Sequence, residues 1–308
     1  MFLLAAACAA PARDGVVDQT GVAVPQGPAR RIVPLAPDVT ELAFALGAGD
    51  AVIAAPAAAD WPPPVLGLPR VPPGDAEAIL SFRPDIVLAT TAGSDAGTVE
   101  RLRALGTRVF TADVTSFDRL AQACRLAGRA LGRSEAGERL ARDVERRCDA
   151  LADRAAMLRR RAALYVVWWD PLIIAAPGSF HDDLLRRAGL DNVAGRGAGR
   201  YPRVDPEILL DPRVEVAVAP DERDLRDGLE RVERSAAGAR IASGAVRVLW
   251  LPADPASRPG PRLVDALEAL VAARERDERT GSGARGPGSG PHPPNDEEPA
   301  ASTPGGIS

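Results

Sequence analysis

The sequence predicts an α/β protein made of two similar lobes with parallel sheets, joined by one long helix. Three observations carry this reading. Short β-branched runs alternate with helical stretches across residues 30–276, the pattern of parallel strands with crossover helices. A fifteen-residue pattern occurs twice, as DAEAILSFRPDIVLA at 75–89 and DPEILLDPRVEVAVA at 205–219, with Asp75/Asp205, Glu77/Glu207, Leu80/Leu210, Arg83/Arg213 and Ala89/Ala219 in register. Between the copies, residues 134–160 contain no proline, and their one glycine, Gly137, falls near the start. There Leu140, Val144, Cys148, Leu151, Ala155 and Leu158 step by three or four along one face, with arginines filling much of the other.

In order, the first lobe (30–133) is expected to hold strands at 31–35, 51–55, 86–89 and 108–111, and helices at 39–46, 75–80, 96–105 and 117–131. The linking helix follows at 134–160, with Ser134 as its N-cap and Glu135 in its first turn. The second lobe (161–276) is expected to hold strands at 163–169, 172–175, 214–219 and 246–251. Its helices are expected at 180–188, 205–210, 222–237 and 261–276. Each copy of the repeat reads as a capped short helix, a turn and a buried strand. Asp75 and Asp205 are the N-caps, and Pro206 sits at the first helical position, where its missing N–H costs nothing. Residues 9–29, rich in Pro, Gly and Ala, read as a tether. Residues 277–308 are low-complexity and polar and read as a disordered tail.

Composition narrows the function. The 308 residues suffice for two ordinary domains, and 46% hydrophobic content supports real cores. A net charge of −4 argues against a nucleic-acid binder. All 38 basic residues are arginine, which excludes a P-loop lysine, a Schiff base or a lysine general base. No GxSxG, HExxH or Walker A motif is present, and GRGAGRYP at 195–202 has the wrong spacing for a dinucleotide loop and reads as a flexible loop at the cleft edge. His181 and His292 are the two histidines, too few for a side-chain metal site, so no metal ligands are assigned. His181 reads as a solvated residue at a helix start. Cys124 and Cys148 fall on predicted helices, where a disulfide and two buried thiols are both compatible with the sequence.

Glu77 and Glu207 occupy the second helical position of the two repeats. There each complements the helix dipole, by about 0.3–1 kcal/mol, or offers a carboxylate to an arginine of a partner. At this point a family resemblance bears on the choice. The segment RIVPLAPDVTELAFALGAGDAVIAA (31–55), then ADWPP (59–63), the first repeat, the long helix and RYPRVDPEILL (200–210) resemble the cobalamin and iron-siderophore substrate-binding proteins of ABC importers, the cobalamin branch most closely. The resemblance spans about residues 30–275. It implies two Rossmann-like lobes joined by a single long backbone helix, no enzymatic activity and no resident cofactor. It further implies a metal chelate such as cobalamin held between the lobes, and delivery to an ABC permease with its ATPase. Glu77 and Glu207 match the glutamates that dock onto permease arginines.

The ligand-lining positions of that family match Pro37, Asp38, Trp61, Trp168, Trp169, Tyr201, Asp254 and Arg258. Aromatic walls with a few polar groups suit a flat macrocycle. The segments ATTAGSDA (89–96) and PRVPPGDAE (69–77) hold small residues where the cobalamin branch often places an aromatic, so the first-lobe wall is thin. A ferric siderophore or haem is the alternative ligand, with Arg258, Arg200 and Arg203 as anion holders. A two-lobed glycosyltransferase-like enzyme is the alternative of another class, and only Asp38 and Asp254 offer it an acidic site. The N-terminal MFLLAAACAA resembles the end of a bacterial lipoprotein signal, implying export and lipid attachment at Cys8.

Overall fold

A computed structural model describes residues 15–25, 29–195 and 199–282. Cys8 and His292 lie outside these residues. The described residues open with a hairpin, β1 (Val16–Val17) and β2 (Ala23–Val24). The first lobe continues with β3 (Ile32–Pro34), α1 (Pro37–Ala45), β4 (Ala55–Pro56), β5 (Arg70–Val71), α2 (Ala76–Ser81), β6 (Ile86–Thr90), α3 (Ala96–Ala104), β7 (Val109–Ala112) and α4 (Phe117–Ala130). Then come the linking helix α5 (Ser134–Ala156), β8 (Arg161–Trp169), β9 (Leu172–Ile174), α6 (Phe180–Arg187) and β10 (Leu190–Asn192). The chain ends through β11 (Val216–Pro220), α7 (Arg223–Glu233), α8 (Ala239–Ala242), β12 (Arg247–Leu251), α9 (Ala253–Ser257) and α10 (Leu263–Ser282).

The first sheet is parallel, in the order β3-β6-β7, and the second is parallel in the order β10-β8-β11-β12, with β9 antiparallel against β8. Both faces of each sheet are covered. Ile32, Ile86 and Leu88 face one core while Val33, Val87 and Ala89 face another. Val216 and Val218 alternate with Ala217 and Ala219 in the same way. This two-sided burial explains why the strands read as continuous apolar runs. The two repeat copies are structurally equivalent, each leading into an inner strand of its sheet, β6 or β11.

Several boundaries differ from the sequence reading. The hairpin is no tether. Val16 and Val24 are buried, and the Asp18 carboxylate accepts from the Thr111 amide at 3.1 Å and pairs with Arg103 at 2.9 Å. No strand spans 51–55. Residues Gly49–Ala51 form a 3-10 turn, Val52 makes a single bridge to Ile32, and β4 begins only at Ala55. The second repeat is a 3-10 helix, Pro206–Leu210, rather than an α-helix. Both repeat caps form, Asp75 accepting from the Ala78 amide and Asp205 from the Glu207 amide, each at 2.9 Å. The expected 222–237 helix ends at Glu233, and a separate short helix, α8, follows at 239–242. The last helix continues to Ser282, past the expected start of the tail, because Asp277 pairs with Arg161 of β8 and Arg247 of β12.

The linking helix is unbroken over 23 residues but ends at Ala156, and Arg133 rather than Ser134 is its N-cap. Val144, Cys148, Leu151 and Ala155 bury its stripe. It pairs with α4 through a close backbone approach. A methyl group built on Gly137 would lie 2.5 Å from the Cys124 carbonyl oxygen, and one on Gly128 would lie 2.8 Å from the Gly137 Cα. Arg125 of α4 clamps Glu138 (2.9 Å) and Glu145 (2.7 Å) of α5 beside this contact. Toward the second lobe, Arg147 reaches Asp265 (2.7 Å) and Arg154 reaches Glu275 (3.0 Å), both on α10. Cys124 and Cys148 are free and buried, and burial pushes both thiols up to about 12. They serve as small packing groups of the helix layer.

Gly137→Ala weighs two effects against each other. Alanine gains about 1 kcal/mol of helix propensity. The new methyl group meets backbone on the facing helix, and overpacking costs typically about 1–3 kcal/mol, at the upper end here because neither helix backbone can turn aside. Gly137→Ala is therefore expected to lower the unfolding free energy by about 1–2 kcal/mol in urea denaturation followed by circular dichroism.

Candidate functional site

Parallel strands place ligands beyond their carboxyl ends, where loops from neighbouring strands converge. Both lobes do this here, facing each other. Ala36, Pro37 and Asp38 follow β3, residues 91–93 follow β6, and Val114 and Thr115 follow β7. Opposite them stand Val167 of β8, residues 179–181 at the start of α6, Arg200 and Tyr201, and residues 257–259 after α9. Together they line a cavity of about 610 Å³, within the usual size of a small-molecule site. Its walls are mostly apolar, with Pro37, Val114, Val167, Phe180 and Pro259 among them.

The structure therefore brings Pro37, Asp38, Tyr201 and Arg258 into one cleft, along with Arg200. It does not bring the tryptophans there. Trp169 is fully buried against α7, 3.0 Å from where a Gly228 methyl group would stand. Trp168 falls on the outer face by the ordinary alternation of β8, with Leu164 and Val166, and the β-bulge between Val166 and Trp168 disturbs that alternation so that Trp169 joins it there. Trp168 and Trp169 both pack on the outer core, Trp168 donates its indole N–H to the Asp170 carbonyl at 2.9 Å, and Val167 is left facing the cleft. Trp61 is 45% exposed in a smaller neighbouring hollow, with the Arg262 guanidinium 5.1 Å from its ring centre. Asp254 lies outside the lining and pairs with Arg258 at 3.1 Å. Arg203 also stays outside, where its backbone bridges Ile173.

His181 is the largest correction. It is not solvated but lies buried at the cleft, its ring 4.0 Å from Tyr165 and 3.8 Å from Phe180, with Tyr201 edge-on at 5.6 Å. Its Nε2 meets the Ala256 carbonyl at 3.0 Å, and burial pushes its pKa down to about 3, so the ring is neutral. Ser179 caps α6 by accepting from the Asp182 amide, which turns the next two residues, Phe180 and His181, inward. The stripe Phe180, Leu184, Leu185 carried that signal, because His181 lies three and four positions before Leu184 and Leu185. Among the described residues, no group of three or more His, Cys, Asp or Glu stands ready to hold a metal.

Asp38 falls in the first turn of α1, behind Pro37, and is buried. Burial raises its pKa from 3.8 to about 6, with hydrogen bonds from Thr90 and the Val39 amide pulling the other way, and its Oδ2 has no partner among the described residues. Arg200 pairs loosely with Asp113 at 3.6 Å, whereas Arg258 is held tightly. Glu77 is 83% exposed, with Arg101 at 3.6 Å, and Glu207 is exposed as well.

The Asp38 shift has a definite sign. The folded protein holds this proton up to about pH 6 and the unfolded chain releases it near 3.8, so the native state loses stability as pH rises through that window. Asp38→Asn removes a cost on the order of 3 kcal/mol that is fully present above pH 6. In paired urea titrations the variant is expected to be the more stable protein at pH 7, and its advantage to vanish as pH falls toward 4.

Comparison with known proteins agrees with this architecture. The sequence pattern of the periplasmic binding protein family matches residues 32–245. The vitamin B12-binding protein of Vibrio cholerae is 29% identical over 247 residues, 79% of this chain and 88% of that protein. Its Photorhabdus laumondii counterpart is 26% identical over 78% and 86% of the two chains. Among solved structures, the periplasmic vitamin B12 binding protein BtuF of Vibrio cholerae superposes with a TM-score of 0.71 at 26% identity, over 82% of this chain and 99% of that one. The periplasmic haem-binding protein RhuT from Roseiflexus sp. superposes at 0.67 and 28% identity, over 80% and 100%. The match extends over both lobes and the helix between them, and it makes the chain a solute-binding component of ABC import, periplasmic like its relatives, rather than an enzyme. This protein belongs to the periplasmic binding protein family.

Proposed function

We propose that the protein captures cobalamin, or a closely related metal chelate, in the cleft between its lobes and delivers it to an ABC permease. The observation that carries this is the cavity of about 610 Å³, mostly apolar, built from the strand ends of both lobes in a chain that aligns with most of a vitamin B12-binding protein. The chelate is cargo and supplies its own metal, so few protein ligands are needed and no resident cofactor is involved. Haem is the second reading. It is favoured by the likeness to RhuT and by the Tyr201–His181 aromatic pair at the cleft.

Delivery is assigned to Glu77 and Glu207. Both are exposed, both follow a capping aspartate, and each sits at the same place in its lobe, before an inner strand. Exposed carboxylates at helix starts suit charge-assisted bonds to permease arginines. Attachment to the membrane through a lipid on Cys8 fits the same role and rests on the sequence alone.

Isothermal titration with cyanocobalamin is expected to give a dissociation constant of about 1 μM or tighter. No heat with cyanocobalamin, together with tight binding of hemin, would select the haem reading. The pair Glu77→Ala, Glu207→Ala is expected to leave that affinity within about twofold while abolishing uptake in a transport assay, since exposed side chains far from the cleft contribute little to it. Loss of ligand affinity in the pair would move both glutamates into the binding site.

A further inference from the structure

Arg258 lines the cleft, yet it is not free to meet a charged ligand. Its Nη1 lies 2.6 Å from Asp60 Oδ1 and 3.4 Å from Glu41 Oε1, and its Nη2 lies 3.1 Å from Asp254. Asp60 and Glu41 belong to the first lobe, Asp254 and Arg258 to the second. Glu41 is almost fully buried and is also gripped by Arg262, at 2.6 and 2.8 Å. Asp60 is half exposed, and the Arg258 hydrogen bond holds its carboxyl below the usual range. The ADWPP segment thus meets the second lobe through two arginines, Asp60 on Arg258 and Trp61 on Arg262.

We infer that Asp60 sets the charge selectivity of the cleft: by occupying Arg258 it makes the site accept a chelate edged with neutral amides and reject one edged with carboxylates. The inference rests on the reading of the cleft as a chelate site and specifies which chelates it takes. Arg258 and Arg200 are the lining guanidiniums, and both are paired with carboxylates that lie outside the lining. A ligand carboxylate would have to displace Asp60 or enter unpaired beside the Asp38 carboxyl, and both cost free energy. A ligand amide carbonyl meets no such cost, because a guanidinium with five N–H donors can still donate to a neutral acceptor while its charge stays balanced. Selectivity here is built by a repulsive element as much as by an attractive one.

The test compares two corrins of one shape, dicyanocobyrinamide with all side chains as amides and dicyanocobyrinic acid with all as carboxylates, by calorimetry. The wild type is expected to prefer the amide by at least about tenfold. Asp60→Asn should narrow that gap by at least about threefold, through tighter acid binding, because it removes the closest of the three carboxylates on Arg258 and leaves only Asp254 and Glu41 to balance it. Adding Arg258→Gln to Asp60→Asn should restore the gap. Glu135→Gln, which removes the same charge from the exposed first turn of α5, should leave it unchanged. A gap that Asp60→Asn does not move, or that Glu135→Gln moves equally, overturns this inference alone. Binding of neither corrin by the wild type overturns it together with the cobalamin reading.

Discussion

One apolar core runs through both lobes and the helices between them. Ile32 and Phe110 of the first sheet, Val144 and Leu151 of α5, and Val218, Leu251 and Leu267 of the second lobe are members of a single buried cluster. Most of what the molecule can do follows from this continuity. Opening the cleft widely would expose apolar surface at about 25 cal/mol per Å², so the lobes cannot swing like domains tied by a flexible linker. The glycine contact brings the backbones of α4 and α5 together beside the turn that joins them, and the arginine clamps from α5 to α10 hold the rest of the linking helix to the second lobe. The cleft is accordingly preformed, and its selectivity lies in its lining more than in closure.

The same frame governs the electrostatics. Groups at the cleft sit at the ends of buried strands, where solvent is scarce. Burial keeps His181 neutral near pH 7, whereas Asp38, raised only to about 6, is ionised there and is the one charge on the floor among these buried groups. The charged residues at the rim are paired, Arg258 across the lobes and Arg200 with Asp113. A largely apolar slot with one buried carboxylate, rimmed by balanced ion pairs, matches a flat chelate that presents an apolar face and neutral polar edges.

The lobes, the linking helix and both repeats were legible because each left a periodic or repeated trace. Continuous burial shows in Ile86–Thr90 and Val216–Pro220, a 3.6-residue stripe shows in α5, and paired aspartate caps show at 75 and 205. Half of the cleft residues that the family resemblance implied, Pro37, Asp38, Tyr201 and Arg258, line the cavity. Trp169 does not, because a bulge in β8 turns it to the outer face that Trp168 already occupies, and its place was not legible because a bulge leaves no periodic signature. His181 was missed because a histidine beside two aspartates looks solvated until the Ser179 cap turns it inward. The ion cluster on Arg258 joins residues 198 and 217 positions apart, a separation that no local pattern reports.

The central claim, a preformed cleft between two lobes that share a core, is tested most directly by hydrogen exchange with and without cyanocobalamin. Ligand is expected to slow exchange at 91–93, 114–115, 179–181 and 257–259, from both lobes at once, with α4 and α5 already slow and unchanged. Protection confined to one lobe, or a large slowing throughout α4 and α5 on binding, would contradict it.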